Sequence, residues 1–341
     1  MNTFVLYLLS AATAYFLTAT LLPVLQRYTL RNLADRPGGL KTHKRPVSAI
    51  GGSGILAGVL GSLTLIRLCT NFPSGTLHNL RGIFIGGALI FVMGILDDTR
   101  KPKGLPISCK LIFQAAATAA LIYYDVVIHV FSTPWLNIPL TFLWVVGLTN
   151  AFNLLDIMDG LCVSQAVVCT LGLAIIALPS EFIYVNFAAL ALLGACLAFW
   201  PHNHAQKHKI FLGDSGSNFL GFLLAAISLG TGYSRHSDLG FLAPLFILAV
   251  PLFDTFFVSF ARLLKGKNPL RGSNDHAALR LKTAGWKPKR IVLAYIGAGL
   301  FFNSLAFALT RCTPLTALAL FLVAFLWLSI CTFWLLMLRT S

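Results

Sequence analysis

NAFNLLDIMDGL, Asn150 to Leu161, sets two amides and two carboxylates three residues apart in a stretch otherwise rich in hydrocarbon. Apolar runs flank it over 138–155 and 160–178. Each is near the roughly 20 residues that cross a bilayer. Asn150, Asn153, Asp156 and Asp159 therefore stand where two membrane-crossing lengths meet. Polar groups near hydrocarbon are costly and usually serve a function. Steps of three turn each residue by about −60° from the last on an ideal α-helix, so Asn150 and Asp159 would face opposite ways. Either the helix tightens toward a 3₁₀ turn, which eclipses i and i+3, or the backbone breaks near Asp159–Gly160. Both place the four side chains at a helix end.

The rest of the chain has the same character. Of its 341 residues 57% are hydrophobic and 11% charged, and the mean hydropathy is +0.80. A soluble domain carries about 25% charged residues, so too few remain here to cover a globular surface. The expected fold is an all-α polytopic membrane bundle of eleven spans, at 4–25, 49–69, 82–96, 107–124, 138–155, 160–178, 183–200, 215–232, 240–260, 291–310 and 314–337, forming one integral-membrane domain over 1–341. The N-terminal run has no basic leader region and is too long for a signal-peptide core, so it reads as a retained first span. The seven cysteines lie in or beside apolar segments without CxxC spacing, which implies neither a disulfide framework nor a zinc site.

The net charge of +15 is topological. No basic, aromatic-interleaved soluble module is present, so nucleic acid is not an expected partner. Lys and Arg gather after the first, third, seventh and ninth spans, all on one side. The positive-inside rule makes that side cytoplasmic, with the N-terminus outside and the C-terminus inside. Asp35, Asp97, Asp98, Asp156, Asp159, Asp214 and Asp275 fall on the same side, while Asp254 lies within the ninth span. Carboxylates collected among cations at one interface imply a site for a divalent metal and a phosphorylated ligand.

Four further motifs support that reading. In GILDDTRKP, Asp97 and Asp98 end an apolar helix; adjacent like charges repel unless a cation lies near. Lys110, about a turn into the next span, is placed to reach a phosphate, or to snorkel to the interface. FLGDSGSNFLG puts Asp214 between glycines at a helix start, where backbone N–H groups meet an anion or hydrated metal; a plain helix cap accounts for Asp214 equally. The loops ADRPGGLKTHKRPVSAIGG, with Lys41 and His43, and NPLRGSNDHAALRL, with Arg271, Asp275, His276 and Arg280, carry groups suited to phosphate oxygens or to lipid headgroups. Asn amide and carboxylate oxygens are hard ligands of the kind Mg²⁺ accepts, while polar helix–helix contact accounts for Asn150 alone.

In order, DxP…KxH…PxxxxGG, LDD…K…Q, NxxNxxDxxDGL, GDSGS and DH…RL resemble the polyprenyl-phosphate N-acetylhexosamine-1-phosphate transferases. The matching segments are Asp35 to Gly52, Leu96 to Gln114, Asn150 to Leu161, Phe211 to Gly221 and Arg271 to Leu281. The resemblance implies a phosphoglycosyl transferase that moves a sugar-1-phosphate from a UDP-N-acetylhexosamine to a polyprenyl (undecaprenyl) phosphate and releases UMP. It also implies Mg²⁺ as cofactor, with Mn²⁺ as a substitute, and a multi-pass location in the bacterial inner (plasma) membrane with the site facing the cytoplasm. Such enzymes open the synthesis of O-antigen, teichoic acid and peptidoglycan. By position, Asn153 and Asp214 are the implied Mg²⁺ ligands. Asp97 and Asp98 are implied at the lipid phosphate, and Asp156 and Asp159 at the nucleotide sugar. Lys41, His43, Lys110, Asn150, Arg271, Asp275, His276 and Arg280 are implied in substrate binding. Ile157 stands where the family commonly has Gly, and Cys162 where Ala or Gly is usual. The single histidine of the last loop resembles the N-acetylglucosamine branch, which makes UDP-GlcNAc the expected donor and UDP-MurNAc-pentapeptide the alternative. An ion-coupled transporter would instead place its acids near the bilayer midplane and show repeat symmetry; the chain shows no repeat. A homodimer is compatible with the sequence.

Overall fold

The computed structural model describes residues 3–29, 34–35, 47–70, 76–101, 103–178, 183–205, 207–231, 233, 238–268 and 275–338. They form two compact units, Met1–Thr231 and Gly232–Ser341.

The first unit holds α1 (Thr3–Thr29), α2 (Gly51–Cys69), α3 (Thr76–Thr99), α4 (Ile107–Tyr123), α5 (Pro134–Leu155), α6 (Leu161–Ala177), α7 (Ile183–His204) and α8 (Gly213–Leu229). A two-residue antiparallel ladder pairs β1 (Ala34–Asp35) with β2 (Val47–Ser48). Helix α8 is the hub: every residue but Asp214 and Leu229 is buried, and α2, α3 and α5 all pack on it. Small residues permit this. A Cβ at Gly52 would strike the backbone of Gly216, and one at Gly94 the backbone of Ser215. In lipid there is little hydrophobic drive between helices, so close backbone approach and polar contacts carry the association. The Ser10–Ser62 and Thr13–Ser62 hydroxyl pairs, at 3.1 and 2.9 Å, join α1 to α2 in the same way. Beyond β2, the Gly51 and Gly52 N–H groups donate to the carbonyls of Phe211 and Leu212 at 2.9 Å, which fixes the segment leading into α8.

The second unit begins with a 3₁₀ turn (Asp238–Leu242) and α9 (Ala243–Ile247), continues through α10 (Ala249–Leu264) and α11 (Ala277–Thr283), and ends with α12 (Pro288–Leu309) and α13 (Pro314–Met337). Pro at the first turn of α12 and α13 suits a helix start, where its missing N–H is not needed. Helix α13 buries only Ala317, Ala324 and Leu335. Its outward Leu315, Leu318, Leu322, Phe325 and Ile330 have the composition of a lipid-facing surface.

All eleven predicted segments fall on helix, but they are not alike. Among the described residues seven helices are long and apolar enough to cross a membrane: α1, α2, α3, α5, α7, α12 and α13. Helices α4, α6 and α8 have 17 residues each, about 26 Å at 1.5 Å per residue, short of a hydrocarbon core of about 30 Å. The predicted 240–260 span is a helix pair, Leu239–Ile247 and Ala249–Leu264, bent by 68°. This is a broken span or a re-entrant element.

Candidate active site

The quoted stretch both tightens and breaks. Helix α5 stops at Leu155, and the Asp156 N–H closes back on the Asn153 carbonyl at 3.3 Å, a three-residue step. The chain then turns to Gly160, whose φ of +77° a side chain would strain. Its N–H donates to Asn203 Oδ1, and the His204 ring occupies the place a Cβ would take. Asn150 and Asn153 therefore stay on α5, while Asp156 and Asp159 lie in the turn.

At the start of α8, Gly213, also at φ +77°, presents Asp214. One oxygen of Asp214 accepts from Asn153 Nδ2 at 3.1 Å, and the other lies 3.3 Å from Lys101 Nζ. Asn153 Nδ2 also donates to Ser217 Oγ at 3.0 Å. From the end of α3, Asp98 reaches across with both oxygens: Oδ1 accepts the Asp214 N–H and Oδ2 the Ser215 N–H, each at 3.0 Å. Asp98 thus caps α8 from another helix, an arrangement that typically stabilises by about 1 kcal/mol, and Lys101 Nζ holds it at 2.8 Å. Gly94, one turn earlier on α3, gives the access. Asp97 is buried and accepts from the Leu105 N–H and from Lys110 Nζ, both at 2.5 Å. Its carboxyl also lies within hydrogen-bonding reach of Asp214.

Asp156 belongs to the same electrostatic group. Part of its surface is open, yet burial raises its carboxyl to about 7. The charge of Asp214 adds most to that rise, Asp98 and Asp159 add further, and Lys101 opposes them. Burial works against the charge on Lys101, but Asp214 and Asp98 overcome it and hold the ammonium above its ordinary value. Asp159 is more open and pairs with Lys209.

The donor set suits a hard cation. Asn153 turns its NH₂ toward Asp214 here, so an ion shared by the two would replace that hydrogen bond and meet the amide oxygen. The Asp97–Asp214 approach sets two carboxyls where a proton or a cation must lie between or near them. Among the described residues no group of three or more His, Cys, Asp or Glu side chains is arranged as a metal cage. An ion here would rely on an amide oxygen, a carboxylate and retained water, which is how Mg²⁺ is usually bound.

Other predicted residues are placed differently. Asn150 exchanges two hydrogen bonds with Gln114 of α4, at 3.1 and 3.3 Å, and donates to the Val146 carbonyl; this is helix–helix contact. In the second unit, His276 is buried against Asp254, Nδ1 to Oδ2 at 2.8 Å. Asp275 pairs with Lys265. Arg280 is buried, donates to the carbonyls of Asp275 and Leu335, and stacks on Phe257. Lys41, His43 and Arg271 lie outside the described residues. Sequence reasoning missed Ser217, Asn203, Tyr295 and the parts played by Lys101 and Asp254. Lys101 had a signal in its three-residue spacing from Asp98; Asp254 had one in being an acid within an apolar span.

The sequence model of "Glycosyl transferase family 4" matches residues 80–232, which include most of α3, all of α4 to α8 and every acid of the group around Asp214. Over whole chains the protein is similar to the "Probable undecaprenyl-phosphate N-acetylglucosaminyl 1-phosphate transferase" of Bacillus subtilis (strain 168), 28% identical across 96% of this chain and 90% of that one. It is similar to the "Undecaprenyl-phosphate alpha-N-acetylglucosaminyl 1-phosphate transferase" of Yersinia pestis, 27% identical across 88% and 84%. It is also similar to the "Phospho-N-acetylmuramoyl-pentapeptide-transferase" of Synechococcus sp. (strain JA-3-3Ab), 30% identical across 85% and 87%.

Proposed function

The chain belongs to glycosyl transferase family 4, the polyprenyl-phosphate sugar-1-phosphate transferases, and on that premise we propose that it transfers N-acetylglucosamine-1-phosphate from UDP-GlcNAc to a polyprenyl phosphate, releasing UMP. The observation that carries the reading is the meeting of Asn153 and Asp214 at 3.1 Å, beside Asp97, Lys101 and Lys110. The GlcNAc donor is supported by the single histidine of the DH…RL loop and by the names of the Bacillus and Yersinia relatives. UDP-MurNAc-pentapeptide is the second reading, and the Synechococcus relative's name favours it.

The chemistry follows from charge. An oxygen of the lipid phosphate attacks the β-phosphorus of the UDP-sugar, the bond to the α-phosphate oxygen breaks, and UMP leaves. A phosphate monoester has its second pKa near 6, so the nucleophile is largely ionised at pH 7 and a base adds little. Bringing two anions together is the larger barrier. Lys101 and Lys110 supply fixed positive charge at the acid group, and Asp97 and Asp98 hold those ammonium groups in place. Mg²⁺, held by Asn153 and Asp214, would screen the phosphates and stabilise charge developing on the leaving oxygen. The Lys and Arg distribution supports eleven crossings with the N-terminus outside. It also supports a site on the cytoplasmic face of a bacterial plasma membrane.

The test is a panel of UDP-sugars offered to the purified protein with polyprenyl phosphate, with and without EDTA, read as UMP release. The reading requires release from UDP-GlcNAc that EDTA abolishes and Mg²⁺ restores. Release from UDP-MurNAc-pentapeptide alone would replace the donor. No release from any donor would remove the function.

A further inference from the structure

Two carboxylates of the acid group share one cation. Lys101 Nζ lies 2.8 Å from Asp98 Oδ1 and 3.3 Å from Asp214 Oδ2. The two acids are not equivalent. The Asp98 side chain is 3% exposed and gives both oxygens to the α8 backbone, to the Asp214 and Ser215 N–H groups at 3.0 Å. The Asp214 side chain is 24% exposed, and its donors are themselves side chains: Asn153 Nδ2 at Oδ1 and Lys101 Nζ at Oδ2. Side chains can swing away, whereas the backbone N–H groups of a packed helix cannot. Asp98 is therefore the lasting anchor of Lys101, and Asp214 is the contact it can give up.

Charge sets up a competition. Asp97 is matched by Lys110, so Lys101 is the ammonium in contact with Asp214. A dication taken by Asp214 stands within a few ångströms of that ammonium, and like charges so close repel even at the effective dielectric of a protein surface. We propose that Lys101 competes with the divalent cation for Asp214: its hold on Oδ2 keeps the ion's affinity down, and the ion enters as Lys101 lets go of that oxygen while keeping Asp98. The inference rests on the transfer reading for its ion, and goes beyond it in giving Lys101 an effect opposed to ion binding.

The substitution Lys101→Met separates this role from one in which Lys101 builds the site. If Lys101 only braces Asp98 and Asp214, its loss loosens the ligand set and weakens the ion. If it competes, its loss strengthens the ion. Lys101→Gln is a second neutral variant that keeps a donor for Asp98. Lys101→Arg keeps the charge.

The experiment is titration of Mn²⁺ into full-length protein in detergent after EDTA treatment, with free ion read by electron paramagnetic resonance. The rise in melting temperature on adding Mg²⁺ is measured on the same samples. Wild type should bind an ion that Asp214→Ala loses. Lys101→Met and Lys101→Gln should each bind it at least about 10-fold more tightly, with a larger Mg²⁺-induced rise in melting temperature, while Lys101→Arg stays close to wild type. The side chain of Lys101 is 38% exposed, and either neutral variant suffices if the other does not fold. Unchanged or weaker binding in the neutral variants, or an Arg variant as tight as they are, would overturn the inference and leave the transfer reading standing. An ion bound by none of these proteins, or bound equally by Asp214→Ala, would remove the metal from the transfer reading and the inference with it.

Discussion

Replacing Asp156 by Asn should stabilise the metal-free protein, and by more at high pH than at low. Burial, with the nearby charge of Asp214, raises the Asp156 carboxyl from 3.8 to about 7. In the unfolded chain it has its ordinary value. Between about pH 4 and pH 7 the folded state therefore binds a proton that the unfolded state has lost, and stability falls as pH rises through that window. Above pH 7 the full cost is present. A shift of about 3 units corresponds to about 4 kcal/mol at 1.36 kcal/mol per unit. The open part of the side chain screens some of it, so about 2 kcal/mol is the working figure. Asn is nearly isosteric with the protonated acid and carries no charge. In EDTA at pH 8, Asp156→Asn should melt about 5 °C above wild type, and at pH 5 the gap should shrink to under half. Thermal unfolding in detergent, followed by intrinsic fluorescence at both pH values, measures it. Equal melting at pH 8, or a gap that widens toward pH 5, would show that the acid group does not hold Asp156 in the way described.

Asp214→Ala should cost more transfer than Asp97→Asn, because Asp214 is the partly open side chain at the meeting point of Asn153 and Lys101 whereas Asp97 is enclosed by Leu105 and Lys110. Label transfer from UDP-GlcNAc into membranes at matched expression ranks them, and similar losses would remove the ranking. Asn150→Leu should leave KM for the donor unchanged while destabilising the protein by about 1–3 kcal/mol, since Gln114 loses its partner. The double variant Asn150→Leu with Gln114→Leu should recover part of that melting loss, and a raised KM in the single variant would return Asn150 to the substrate. Gly94→Val should lower the yield of folded protein sharply, because its side chain would occupy the backbone of Ser215; a normal melting temperature would contradict the packing of α3 on α8.

Hydropathy and charge were legible in the linear chain because a bilayer imposes a one-dimensional rule: apolar lengths cross it and Lys and Arg stay on one side. The helices, a tightening or break in the stretch that ends at Asp159–Gly160, and the existence of an acid group at helix ends all follow from residue type and spacing. Partnership does not, because it depends on which helix ends come within hydrogen-bonding distance of one another. Asp97 and Asp98 are neighbours in sequence, but opposite pulls separate their roles, one toward Lys110 and one toward the α8 backbone. Asn150 and Asn153 share a motif, yet one faces Gln114 and the other Asp214. Asp254 and His276 are 22 residues apart, and only the packing of α11 on α10 brings carboxylate and imidazole together. The sequence by itself determined a membrane bundle with acids and cations at helix ends. The tertiary structure decided which of those groups hold each other and which stay open, because hydrogen bonds and charges act over a few ångströms in space and take no account of order along the chain.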